Sequence, residues 1–168
     1  MIPPMGDFLN SLEQTTLASM VRGDTGLEWL FPQVEIVHVL ALALVFGSIL
    51  MVDLRLLGLN SRASAVSRLS AEVLPWTWGA FAVAALSGGV LFISKAHTYF
   101  YNLPFRLKFL CMALAGINML CFHFGDYRKV ARWDLRSPPP VGARIAGLLS
   151  VLLWVGVIFC GRWIGFTT

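Results

Sequence analysis

The chain has 168 residues, 57% of them hydrophobic and 13% charged, with a formal net charge of +4 and a mean hydropathy of +0.73. That composition excludes a disordered tail, a collagen-like chain, a disulfide-stapled secreted module and most soluble domains. The length allows no more than one domain, with room for four apolar runs of about 20 residues that each cross a bilayer.

Residues 1–33 form a segment of mixed character. Within it, residues 7–22 place Phe8, Leu9, Leu12, Leu17 and Met20 near one helical face, with Asp7 as an N-cap. The apolar density is too low to span, so the segment reads as an amphipathic surface helix or as a helix packed across the mouth of a bundle. Gly23-Asp24-Thr25-Gly26 ends it. Residues 1–20 hold no Lys or Arg, so no ordinary signal peptide is expected.

Residues 34–168 read as the transmembrane domain. Span 1 covers 34–58 after Pro32, span 2 covers 74–95, span 3 covers 104–127 and span 4 covers 144–166. Ser137-Pro138-Pro139-Pro140 makes a stiff break before span 4. The expected fold class is therefore all-α: a four-transmembrane-helix bundle with an N-terminal amphipathic helix.

Orientation follows from the cations. The connections between spans 1 and 2 and between spans 3 and 4 carry Arg55, Arg62, Arg68, Arg128, Lys129, Arg132, Arg136 and Arg144, against Arg22, Lys95, Arg106, Lys108 and Arg162 on the other side. The positive-inside rule puts both termini outside, in the periplasm if the chain sits in a bacterial inner membrane. Trp29, Tyr99, Tyr101 and Trp163 would mark the outer interface, and Trp76, Trp78, Tyr127 and Trp133 the inner one. The basic balance fits loops anchored on anionic lipid. Without a basic helix interleaved with aromatics, nucleic acid is not an expected partner.

Span 2 is rich in small residues, including Gly79, Ala80, Ala84, Ser87, Gly88 and Gly89. Such stripes let helices approach closely and also clear space for a flat cofactor; self-association through them is a further option.

Ionisable groups inside spans usually face a partner or a cavity. His38 lies one turn inside the outer end of span 1. A hydrogen-bonded core residue, an axial metal ligand and a proton carrier all fit it. Lys108 lies one turn into span 3; it can snorkel, pair with a carboxylate, or ligate a metal once deprotonated. His97 ends span 2 at a similar or slightly more exposed depth, where a His38–His97 pair could hold a haem iron between two helices; an interfacial role is the preferred reading of it. Asp53, Arg55 and His123 sit near the inner ends of spans 1 and 3. His38 to Asp53 and Lys108 to His123 are both 15 positions, which is roughly 22 Å along a helix. If spans 1 and 3 face each other, His38 and Lys108 form an outer polar layer, and Asp53, Arg55 and His123 an inner one. Cys111, Cys121 and Cys160 lie inside spans with no CxxC spacing, so free thiols are expected, with a Cys111–Cys160 disulfide as an alternative.

The run His38-Val39-Leu40-Ala41-Leu42-Ala43-Leu44-Val45-Phe46-Gly47-Ser48, then Asp53-Leu54-Arg55-Leu56-Leu57-Gly58, then Lys108, Gly116-Ile117-Asn118 and His123 resembles an uncharacterised bacterial family of four-helix integral membrane proteins. That family is similar in layout to the copper-resistance D membrane domain and to the small haem-binding membrane protoporphyrinogen oxidases. The resemblance implies b-type haem with His38 and Lys108 at the site. The Asp-Leu-Arg-Leu-Leu-Gly segment departs from the oxidase pattern, so the resemblance implies a haem site rather than porphyrinogen oxidation.

The expected function is a membrane b-type haem protein in electron transfer. Iron would be held by His38 with His97 or Lys108. His123 could hold a second haem, with Arg55 on a propionate. Its partners would be the bilayer and a membrane or periplasmic redox protein. A homo-oligomer or a larger membrane complex is a further partner option. The alternative functions are a non-catalytic structural subunit of a larger membrane complex and a copper or small-solute carrier.

Overall fold

The computed structural model describes residues 5–59, 65–134 and 138–167, which contain helix and no strand. Helices α1 (Met5–Glu13) and α2 (Thr16–Arg22) precede the first long helix, α3 (Leu30–Leu56). There follow α4 (Val66–Ser94), the short α5 (Ala96–Tyr101), α6 (Leu103–Phe124), a 3₁₀ turn (Asp126–Lys129), α7 (Val130–Trp133) and α8 (Val141–Thr167). Among the described residues, α3, α4, α6 and α8 are long and apolar enough to cross a membrane.

The single N-terminal helix expected over 7–22 is two helices. Thr15 is extended, and its hydroxyl accepts from Ala18 N to cap α2. Asp7 lies inside the first turn of α1 rather than capping it. Both helices pack on the bundle: α1 on α5, and α2 on α3 and α4. Leu9, Ala18 and Val21 are buried there. Arg22 fastens the pair. Its guanidinium donates to the carbonyls of Glu13 (2.9 Å) and Ser94 (3.0 Å) and pairs with Asp24.

Several span boundaries shift for identifiable reasons. Helix α3 begins at Leu30, so Pro32 stands within its first turn, where the missing N–H would lack a helical partner anyway. It ends in a Schellman closure: Leu59 N donates to Leu54 O and Gly58 N to Arg55 O, with Gly58 at φ 78°. Helix α4 begins at Val66, well before the expected Leu74. Its first turn is capped by a distant carboxylate, Asp134, which accepts from Val66 N, Ser67 N and the Ser67 hydroxyl. Asn102 caps α6 by accepting from Phe105 N at 3.1 Å, and Pro104 occupies the first turn. Pro138–Pro140 run non-helically into α8. Arg62, Arg136 and Ser137 lie outside the described residues.

The expected facing of spans 1 and 3 is not the observed packing. Helix α3 packs on α4 and α8, and α6 packs on α8, so α8 separates α3 from α6. Small residues set these approaches. A β-carbon at Gly147 on α8 would stand 3.1 Å from Leu56 Cβ and 3.2 Å from the Asp53 carbonyl oxygen. Gly147→Ala is therefore expected to cost about 1 kcal/mol by overpacking, measured as a lower midpoint in detergent unfolding. Asn118 bridges α6 to α8 by donating to Ala146 O at 2.9 Å. The Ser48 and Thr77 hydroxyls bond at 2.8 Å between α3 and α4.

At the end opposite the termini, Leu56, Val66, Trp133 and Ala143 form a core flanked by Val52, Phe122 and Val130. Trp133 is buried there, donating from Nε1 to Asp126 O, instead of marking a lipid interface.

Candidate functional site

His38 projects from α3 onto α4. Its Nδ1 lies 2.9 Å from the Ala84 carbonyl oxygen and 3.1 Å from the Ser87 hydroxyl oxygen. The Ala84 carbonyl can only accept, and the Ser87 hydroxyl donates to Val83 O at 2.7 Å. Both partners therefore require the proton on Nδ1, and in the neutral imidazole the lone pair is on Nε2. Among the described residues nothing hydrogen-bonds that nitrogen. The ring fits because residue 88 is glycine. A β-carbon there would stand 2.9 Å from His38 Cε1 and 3.3 Å from Nδ1.

Lys108 projects from α6, half-buried. Its Nζ lies against Gly161 of α8, 3.7 Å from where a β-carbon would be. It is close enough to His38 to interact with it electrostatically. The outer pair expected from the sequence thus comes together across the bundle, with α8 as the shared neighbour of α3 and α6.

Helices α4 and α6 meet mainly at their termini ends, where Phe92 stacks on Phe105 (5.4 Å) and Tyr99 on Phe105 (6.0 Å). Below that stack they do not pack along their lengths. The short α5 joins the two long helices in the chain. Burial, and then the nearby Glu35 carboxylate, push the Tyr99 phenol above its ordinary pKa.

His97 does not join His38. It lies exposed on α5, its ring tilted against Tyr101 (5.0 Å) and its backbone N–H donating to Glu13. His38 sits level with Ser87, and from there to the end of α4 at Ser94 is seven residues, about 10 Å of rise.

The other polar layer is divided in the same way. Asp53 is buried on α3, bonded to the Ser150 hydroxyl on α8. Arg55 is 1% exposed and donates from Nη2 to the Asp134 carbonyl at 2.9 Å. His123 is exposed at the end of α6 and stacks on Tyr127 (5.2 Å, 21°). Among the described residues no three His, Cys, Asp or Glu side chains cluster as metal ligands. Two surface grooves lie elsewhere. One of about 740 Å³ faces lipid between α3 and α4, lined by Leu40, Leu44, Gly79 and Trp76. The other, about 460 Å³ and polar, is lined by Glu13, Arg22 and Lys95.

Sequence reading singled out His38 and Lys108 but missed Ala84, Ser87 and Gly88 as the seat of the imidazole. A signal was present. His38 is eight residues from the start of α3 and Ser87 seven from the end of antiparallel α4, so the two fall at equal depth.

Four apolar spans with a histidine and a lysine seated between them define a multi-pass helical membrane protein with an intramembrane polar site. The chain belongs to the family of unknown function DUF6644, whose model matches residues 8–167. No curated protein and no solved structure matches it.

Proposed function

We propose that this protein holds b-type haem between its spans and passes electrons within or across a bacterial inner membrane, both termini facing the periplasm. The observation that carries the reading is the His38 anchor. Histidines that ligate a metal commonly donate their other ring N–H to a backbone carbonyl, which fixes the tautomer and aims the free nitrogen. His38 donates from Nδ1 to Ala84 O and leaves Nε2 available. The donor set fits haem: a neutral imidazole is an established haem ligand, and the absence of a side chain at residue 88 lets the His38 ring seat against α4.

His38 would hold the iron, and Lys108 would offset a propionate carboxylate from the opposite side. Bound haem supplies one-electron chemistry, with axial ligation and burial setting its potential. The protein's part is to orient the imidazole, exclude water and neutralise the carboxylate in a medium where unpaired charge is costly. A membrane or periplasmic redox protein would be the partner. Arg55 has no part in this reading, since it is buried against the Asp134 loop.

The test is an absorption spectrum of detergent-purified protein, oxidised and then reduced with dithionite. A Soret band with sharp reduced α and β bands is expected, lost in His38→Ala and kept in His123→Ala. A colourless, folded wild-type preparation grown with ample haem would rule the proposal out, as would full haem retention in His38→Ala.

A further inference from the structure

Three nucleophilic side chains meet at one turn of α8. Cys111 of α6 places its Sγ 3.2 Å from where a β-carbon of Gly156 would stand. Cys160 follows Gly156 by one helical turn on the same face, where β-carbons are about 5–6 Å apart. Its side chain slants back toward the helix N-terminus, and so toward Cys111. Lys108, one turn from Cys111 on α6, rests against Gly161. Cys160 lies within electrostatic range of both Cys111 and Lys108. All three side chains are half-buried, and both cysteines are free thiols. Gly156 is what admits Cys111, since a β-carbon there would crowd its Sγ at 3.2 Å, whereas Gly161 only borders Lys108 at ordinary contact distance.

We propose that Cys111 and Cys160 form a two-thiolate site for one soft monovalent cation of the copper(I) or silver(I) class, with Lys108 balancing its charge. Thiolates select such ions over hard or divalent ones. The balance is simple: two thiols and one monovalent cation give a bis-thiolate complex of charge −1 and release two protons. The ammonium of Lys108 brings the cluster to neutrality, which the membrane interior favours. No oxidation or reduction occurs in the step. Its ligands are sulfurs on α6 and α8 rather than His38; the site shares only Lys108 with the haem reading, and that ammonium balances one of the two anions at a time.

The experiment titrates reduced, detergent-purified full-length protein with silver(I), and anaerobically with copper(I), against a chromophoric competing chelator. One equivalent is expected to bind and to protect Cys111 and Cys160 from maleimide. Cys111→Ser and Cys160→Ser are each expected to weaken binding at least about 100-fold, the upper range seen even for outer-shell changes. Cys121→Ser, whose thiol is exposed elsewhere on α6, is expected to bind like wild type. Lys108→Met is expected to weaken binding while Lys108→Arg restores it, a rescue that a packing role would not give. Helical circular dichroism checks that each variant is folded. Undiminished uptake by the folded Cys111→Ser/Cys160→Ser double variant would overturn the site. So would reduced wild-type protein that takes up no cation. Haem content, read separately from the Soret band, reports on the other proposal alone.

Discussion

Gly88→Ala is expected to unseat His38, whereas Gly89→Ala, one residue along the same helix, leaves it in place. The two glycines look equivalent in the sequence. In the structure a β-carbon at Gly88 would stand 2.9 Å from His38 Cε1, while at Gly89 nothing lies within 4 Å. The imidazole cannot retreat freely, because its Nδ1 is bonded to Ala84 O and Ser87 on the same helix that would carry the new methyl. Relieving the clash means breaking those bonds or pushing α3 from α4. Overpacking of this kind costs about 1–3 kcal/mol, and the lost hydrogen bonds add about 1 kcal/mol. Gly89→Ala should be neutral or stabilising by up to about 1 kcal/mol, since alanine loses less backbone freedom in a helix. Unfolding midpoints in detergent check the first difference. The nitrogen chemical shifts of His38 check the second, because they report whether the proton remains on Nδ1. On the haem reading, Gly88→Ala also loses the Soret band and Gly89→Ala keeps it. Equal behaviour of the two variants would mean that His38 is not seated on Gly88.

This contrast shows where legibility in the sequence stops. The four spans were readable because apolar runs of that length have few other uses. His38 and Lys108 stood out because ionisable groups in a span demand an account. Pairing was not readable. Which helix faces which depends on complementary surfaces, and the small-residue stripe of span 2 is compatible with several partners. The start of α4 was also hidden, because its cap is Asp134, 68 residues away in the chain. A histidine at each of two helix ends suggested one shared metal. The break at Lys95 separates them, turning the chain from α4 into α5 and leaving His97 beside Glu13 and Tyr101. Trp133 misled for a similar reason: amphipathic aromatics suit a membrane interface, but a tryptophan whose N–H finds a carbonyl is equally at home in a core.

The second large effect is expected at the other end of the bundle. Arg55→Met keeps the length of the side chain and removes its charge and its donors. Arg55 is 1% exposed, and its Nη2 donates to the carbonyl of Asp134. The Asp134 carboxylate in turn holds the first turn of α4. One residue therefore ties the end of α3 to Asp134 at the end of α7, and through it to the start of α4. Hydrogen bonds to a charged group are each worth about 1.5–3 kcal/mol when one partner is removed, and the loop they hold is expected to loosen with them. A loss of about 3 kcal/mol is expected for Arg55→Met. Asp134→Ala, which removes the cap but leaves the carbonyl, is expected to cost about 1–2 kcal/mol. Because both changes act on one loop, the double variant should lose less than the sum, with a coupling of at least about 0.5 kcal/mol. Denaturant titration of the three variants decides this. Additive losses would mean that the guanidinium and the carboxylate act independently. A loss below about 0.5 kcal/mol for Arg55→Met, the size of an ordinary surface change, would mean that the guanidinium is not committed to the loop. That result would return Arg55 to the role the sequence suggested for it, a cation available to a carboxylate in the bundle.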